Sequence, residues 1–327
     1  MDLHYDDYAP SRRESDVIDL SMVENPFGSS RRATQHIEKN LKKMNRYSPI
    51  SPELVVALAK LNRTSTENVI VTDGADGALT LVFLALARKK RVIVPLPAFP
   101  RFHYYLTLSG SELVSSRLGP DFKIQDAEIF SKHADVLSLC SPNNPTGIPV
   151  TTSFVKDALR RFELVIVDEA MLCFGTGVSS LLRDYDNLII TRSFSKSFGL
   201  AGMRIGYALA SSKAISKISS FSSPFKTTSL SQIAALETLN DERYISDSLQ
   251  KIKSQLERVR KIQRFTTAKE SESLCYLAKL RVEDFKALEK KRILVTRGHH
   301  FDYLDDTYAR ISIGTPEENS KLLSVLA

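Results

Sequence analysis

Four short segments hold residues whose types and spacing could do chemistry: Ser141-Pro-Asn-Asn-Pro-Thr-Gly147, Asp168-Glu-Ala170 after a Val-Ile-Val run, Ser193-Phe-Ser-Lys196, and Gly199-Leu-Ala-Gly-Met-Arg-Ile-Gly206. Together they supply one lysine, one aspartate, asparagines, hydroxyls and an arginine. A lysine amine attacks aldehydes once deprotonated, and burial or a nearby cation lowers its pKa toward working pH. Lys196 lies among Ser193, Ser195, Ser197 and Gly199, with no flanking carboxylate. Asp168, placed directly after an apolar strand, would be costly to bury unless it met a cation such as a protonated ring nitrogen. Arg204 is eight residues beyond the lysine and can fork onto a phosphate beside serine hydroxyls. A nucleophilic lysine, a buried aspartate and a phosphate site together describe a place for pyridoxal phosphate.

These segments must be brought together by the elements around them. Short β-branched runs alternate with helical patterns, which is the signature of crossover units on a mainly parallel sheet. Strands are expected at 68–72, 91–94, 112–116, 135–139, 163–167, 187–191 and 204–210, with helices near 51–62, 75–88, 99–109, 151–161 and 212–220. Several of the strands are nearly all apolar, so helices should cover both faces. Residues at the carboxyl ends of parallel strands converge on one crevice, and the four segments could therefore build a single site. From about residue 228 the pattern changes to a long charged helical stretch over 229–264, strands near 273–280, 293–296 and 309–313, and a last helix from Pro316. The expected architecture is an α/β protein whose large domain has a mainly parallel, mixed sheet between helices, with a smaller α+β domain beside it. The divisions are an arm at 1–30 that joins the small domain, a large domain at 31–228 and a small domain at 229–327.

The order of the S-x-S-K-x-F-G-L-A-G-x-R-x-G block at 193–206 after N-N-P-T-G and V-D-E-A resembles the pyridoxal-phosphate-dependent class I/II aminotransferases of fold type I. The chain is most similar to histidinol-phosphate aminotransferases and threonine-phosphate decarboxylases, from Glu24-Asn-Pro-Phe-Gly28 to Ala309-Arg-Ile-Ser-Ile-Gly314. The resemblance implies that Lys196 carries the cofactor and then moves the substrate's proton, while Asp168 keeps the pyridine nitrogen protonated. It implies that Asn144 binds the ring's 3-oxygen and that Arg204, Ser193 and Ser195 hold the phosphate. Backbone N–H groups where Gly74-Ala75-Asp76 opens a helix would help, since a helix N-terminus favours anions. Phe102 matches the aromatic that stacks on the ring. Tyr47 resembles a tyrosine that reaches the cofactor phosphate of the other subunit, which implies a homodimer. Arg310 matches the arginine that binds the substrate's acidic group, with Asn25 and Arg297 as further substrate-binding candidates. One departure stands out: Met171 occupies the position where the family usually has a tyrosine that donates to the 3-oxygen. The chain is also short for the family, so decoration of the small domain or arm is expected to be trimmed.

Composition narrows the alternatives. With 45 Lys and Arg against 38 Asp and Glu the net charge is +7, which suits an acidic partner without choosing one. The basic residues are not interleaved with aromatics on one face, so nucleic-acid binding has no footprint. No apolar run approaches a membrane span, and the N-terminus reads as neither a secretory signal nor an anchor. Cys140, Cys173 and Cys275 are far apart with no histidine at ligand spacing, which points to a reduced, cytoplasmic protein without a metal. Asp168-Glu169 alone could belong to a nucleotidase, but no G-x-x-x-x-G-K-[ST] accompanies it. Three functions remain: an aminotransferase acting on small amino acids or phosphorylated amines, a threonine-phosphate decarboxylase with the same cofactor, and a non-catalytic regulatory module, against which an intact Lys196 argues.

Overall fold

The computed structural model describes residues 17–326, and the part of the expected arm before residue 17 lies outside the described residues. In chain order the first part comprises β1 (Ile18–Asp19), α1 (Arg31–Asn40), α2 (Pro52–Asn62), β2 (Val69–Thr72), α3 (Gly74–Leu86), β3 (Arg91–Leu96), α4 (Phe102–Ser109), β4 (Glu112–Arg117) and α5 (Asp126–Ser131). It continues through β5 (Val136–Cys140), α6 (Thr152–Leu159), β6 (Leu164–Asp168), β7 (Leu188–Ser193), β8 (Gly206–Leu209) and α7 (Ser212–Ser219). The second part holds α8 (Ser229–Leu239), α9 (Glu242–Val259), β9 (Cys275–Lys279), α10 (Val282–Lys290), β10 (Ile293–Leu294), β11 (Thr296–Arg297), β12 (Tyr308–Ser312) and α11 (Pro316–Leu326).

The large sheet has seven strands in the order β2-β8-β7-β6-β5-β3-β4. Only β8 runs against its neighbours, and a loop over 194–205 without an α-helix joins it to β7. The chain steps outward from β3 to β4 and then returns to the other side of β3 with β5. Such a reversal leaves a crevice at the carboxyl ends of the strands. Local signals start the helices that cover the sheet. Ser51 Oγ accepts the Leu54 N–H at 3.2 Å with Pro52 in the first turn, and Thr151 Oγ1 accepts the Phe154 N–H at 3.2 Å.

Side chains alternate between two cores. Val165 and Val167 of β6 pack with Leu58, Phe154 and Leu188, whereas Leu164 and Ile166 pack with Phe83, Phe102 and Ile189. Asp168 continues the face of Leu164 and Ile166. It pairs in register with Cys140 on one side and Thr191 on the other, so the last row of the sheet changes from apolar to reactive. Beyond the sheet, Leu256, Val259, Tyr276, Phe285, Ile311 and Leu322 form a separate core around the antiparallel order β11-β12-β9. β1 pairs in parallel with β10, which ties residues 18–19 to this second unit.

Several expected elements differ from those observed, and the expected strand 293–296 is split into β10 and β11. The helical stretch 229–264 is two helices, because Asp241 caps a new one by accepting the Tyr244 N–H at 3.2 Å. Ala234 and Ala235 of the first of these pack with the large sheet's core. The strand expected from residue 204 begins at Gly206, because Arg204 has a left-handed backbone (φ 46°) at the end of a short 3-10 turn.

Behind the reactive row, Glu169 and Arg192 form a buried ion pair at 2.7 Å. Arg192 also donates to the Thr176 carbonyl at 2.6 Å and to Asn62, while Glu169 accepts the Val178 N–H at 2.7 Å. Removing one partner leaves a buried charge, a change that typically costs about 3–5 kcal/mol. Arg192→Met should destabilise the protein by that amount in urea unfolding, and adding Glu169→Leu should recover part of the loss. A single variant as stable as the parent would contradict this account.

Candidate active site

The crevice at the carboxyl ends of the strands is a cleft of about 570 Å³. Its lining includes Ala75, Asp76, Asn144, Asp168, Ser193 and Ser195, together with Lys196, Arg204 and Arg310. Residues spread from the start of α3 to β12 thus share one wall, as convergence of strand ends requires.

One end of the cleft is shaped for an anion. Gly74, at the first turn of α3, has φ +83°, and a Cβ there would lie 3.2 Å from an Arg204 guanidinium nitrogen. Arg204 Nη1 also lies 3.5 Å from Ser195 Oγ and donates to the Ala201 carbonyl at 3.1 Å. Gly206 lets this approach happen: a Cβ on it would fall 2.5 Å from the Gly74 carbonyl carbon and 2.7 Å from the Ala75 nitrogen. Helix N–H groups, a guanidinium and two hydroxyls facing one space make a phosphate cradle. Asp76 does not compete for it, because Arg101 holds its carboxylate with two hydrogen bonds of 3.1 Å and Tyr105 donates to it as well.

The middle of the cleft holds two buried ionisable groups. Asp168, 3 % exposed, accepts from Thr191 Oγ1 at 2.8 Å and from the Ala170 N–H at 3.1 Å. No ion pair involves it among the described residues, and burial pushes its carboxyl up to about 6. A cation bound in front of it would restore the ionised form. Lys196 donates to the Met22 carbonyl at 3.1 Å, and its pKa falls to about 8 through burial and then through the charge of Arg310. A substantial fraction of the amine is therefore neutral near physiological pH and able to attack a carbonyl. A buried carboxylate lacking a cation, an amine whose pKa is lowered to about 8 and a phosphate cradle in one cleft fit pyridoxal phosphate.

Arg310 closes the other side. It is 2 % exposed, donates to Asn144 Oδ1 at 2.9 Å and Thr296 Oγ1 at 3.0 Å, and reaches the Ser21 carbonyl. Its guanidinium carbon stands 5.5 Å from the Phe301 ring centre. The second unit thereby offers a cation to whatever sits between Asn144 and Lys196.

Four expected residues are placed elsewhere. Phe102 is buried in the core, 6.3 Å from Phe83 and 6.1 Å from Tyr105 by ring centres, and Phe99 lines the cleft instead. Helix α4 starts at Phe102 rather than at 99, so its first residue turns inward and the aromatic in the preceding turn faces the site. Asn25 is buried and donates to the Ser197 carbonyl at 2.9 Å and to Ser248 Oγ at 2.8 Å, holding the lysine loop rather than lining the cleft. Arg297 stacks on the Phe285 ring at 3.6 Å within the small unit, away from the cleft lining. Tyr47 is 85 % exposed and stacks on Phe225 at 4.9 Å, outside the cleft of its own chain.

Sequence reasoning missed Glu24, Arg101 and Thr191. Glu24 lines the cleft and favours the charged form of Lys196. A signal for Arg101 was present in Pro97-Ala-Phe-Pro-Arg-Phe, but its partner Asp76 is 25 residues away. Met171 is 3 % exposed and lines the cleft, packing with Val23, Cys173 and Ile252.

The lysine's depressed pKa gives a signed prediction. Its folded value of about 8 lies below the ordinary lysine value of 10.5. The cost of holding it charged is therefore full below pH 8 and fades as pH rises toward the unfolded value. In cofactor-free protein Lys196→Met should raise stability at pH 7 by about 1–3 kcal/mol, with the gain shrinking by pH 10. Urea unfolding at both pH values measures it; no gain at pH 7, or a gain that grows with pH, contradicts the assignment.

The family model for aminotransferase class I and II matches residues 15–326. A histidinol-phosphate aminotransferase from Methanocaldococcus jannaschii is 32% identical, covering 96% of this chain and 89% of that protein. Among solved structures, the histidinol-phosphate aminotransferase from Clostridium acetobutylicum superposes with a TM-score of 0.87 at 22% identity, over 95% of this chain and 98% of that one. The Sinorhizobium meliloti histidinol-phosphate aminotransferase in complex with pyridoxal 5'-phosphate gives a TM-score of 0.81 at 23% identity, over 95% and 89%. With the lysine, aspartate and phosphate cradle gathered in one cleft, the chain belongs to the class I and II aminotransferases and is a pyridoxal-phosphate-dependent enzyme.

Proposed function

We propose that the enzyme moves an amino group between histidinol phosphate and a 2-oxo acid, working as a homodimer. The observation that carries the substrate class is Arg310, a buried cation facing the cleft beside Asn144, in a chain whose relatives include histidinol-phosphate aminotransferases. In this reading Arg310 fixes the substrate's acidic group, and the cradle of Arg204, Ser193, Ser195 and the α3 N-terminus fixes the cofactor's phosphate.

Bound pyridoxal phosphate supplies the electron sink that makes a proton on the substrate's α-carbon removable. The protein's part is positioning and proton transfer. Lys196 Nζ, near neutral pH partly unprotonated, would accept the proton from the substrate's α-carbon and carry it for return. Asp168 keeps a cation opposite its carboxylate charged, and Thr191 orients that carboxylate. Asn144 is held by Arg310, so the residue that would orient the cofactor and the one that would bind the substrate share one hydrogen bond. Phe99 would offer an apolar surface to the bound cofactor. Met171 offers no hydrogen-bond donor, leaving Asn144 to do the orienting that a tyrosine would share.

The homodimer rests on an exposed apolar surface at Met44, Tyr47 and Phe225, of which Met44 is 70 % exposed. A subunit-shared site makes Tyr47 useful to the partner's cleft. No described helix is long and apolar enough to cross a membrane, and the cysteine pattern fits a cytoplasmic enzyme.

Single-turnover absorption measurements test the substrate: histidinol phosphate should discharge the bound cofactor's visible band and leave its amino form. Carbon dioxide release from threonine phosphate, with the band retained, would replace the reading with a decarboxylase. Lys196→Ala should lower turnover by at least about 10²–10⁴-fold.

Hybrid formation tests the shared site. Tyr47→Ala and Lys196→Ala proteins, each weakly active alone, should regain activity when their subunits are mixed, because one cleft of each hybrid is intact. Mixing without recovery removes Tyr47 from the partner's site.

A further inference from the structure

A second pocket, of about 460 Å³, lies beside the cleft at the same strand ends. Leu118, Phe122, Ile124, Leu139, Ile148 and Phe154 give it an apolar body within the range of small-molecule sites. Cys140 borders both pockets, and the adjacent residues Asn143 and Asn144 divide between them, Asn143 lining this one and Asn144 lining the cleft. Asn143 is anchored by donating to the Pro97 carbonyl at 3.0 Å and to Thr146 Oγ1 at 3.2 Å, so the wall between the pockets is fixed.

The charge at the mouth is one-sided. Asp126, Glu270 and Glu272 face a single ammonium, Lys123. Lys123 Nζ is already committed to Glu270 at 2.7 Å. Asp126 and Glu272 form no ion pair among the described residues. An apolar body with two uncompensated carboxylates at the rim, and with Phe122 and Phe154 in its wall, selects a cation of matching shape. The cleft differs, because it sets Arg101, Arg204, Arg310 and Lys196 beside Glu24, Asp76 and Asp168 and so holds charges of both signs.

We propose that this pocket is a binding site, separate from the cleft, for a small molecule with an aromatic or branched apolar body and a cationic head. The cation's carbon frame occupies the space between Phe122, Ile148 and Phe154, and its charge rests near Glu272 and Asp126.

The probe is benzyltrimethylammonium, whose quaternary nitrogen cannot form an imine and so cannot react with the cofactor as a primary amine would. Calorimetric titration of the holoenzyme should give saturable 1:1 binding per subunit, with benzyl alcohol and phenylacetate at least about tenfold weaker. Ile148→Trp, which fills the pocket, should abolish binding. Glu272→Lys, an exposed rim change that keeps the fold, should weaken it about tenfold or more and leave the cofactor's absorption band unchanged. Absence of saturable binding overturns the proposal. So does binding that is unaltered by Glu272→Lys, and so does binding equal to that of benzyl alcohol.

Discussion

The structure turns on a carboxylate and an amine buried in the same cleft without being each other's partner. Asp168 is raised to about 6 and Lys196 lowered to about 8, each chiefly by burial. Either group would be relieved by pairing with the other, and the fold prevents it. Asp168 is held by Thr191 on the adjacent strand, while Lys196 is turned to the Met22 carbonyl on the segment after β1. That separation keeps one group ready for a ring cation and the other ready for a carbonyl carbon. The cost of the two unsatisfied sites is borne by the large cores on both faces of the sheet.

Everything nearby serves to hold those two positions. The register Cys140–Asp168–Thr191 sets the depth of the carboxylate, and the Glu169–Arg192 pair pins the strand ends behind it. The paired glycines, Gly74 and Gly206, let α3 begin close enough to β8 for Arg204 to share its anion site. Asn144 and Arg310 then join the large sheet to the small one at the point where a substrate would lie. The hydrogen bond between them links the two cores across the cleft.

The same strand ends also create two neighbouring pockets of different charge, one rimmed mainly by carboxylates and one lined by charges of both signs. Both arise from the reversal of strand order at β3, which opens space on either side of the Ser141–Gly147 loop. The loop presents Asn144 to one pocket and Asn143 to the other, so a single stretch of backbone is the common wall.

The sequence by itself determined the alternation of strands and helices, the identity of the lysine, aspartate and arginine, and their convergence. Those properties are local: apolar runs fix the strands, caps fix the helix starts, and a lysine among serines stands out without its neighbours in space. Tertiary structure alone decided which aromatic faces the cleft, because one turn's difference in where α4 begins sends Phe102 inward and leaves Phe99 outside. It alone paired Arg101 with Asp76 and laid Arg297 on Phe285, contacts between residues 25 and 12 positions apart whose geometry no spacing rule contains. It also turned Asn25 from a substrate ligand into a brace for the lysine loop, since a buried amide binds whatever carbonyl and hydroxyl the packing brings to it. Residue chemistry is written along the chain, but direction is a property of packing, and at this site direction separates a group that touches the substrate from one that supports it.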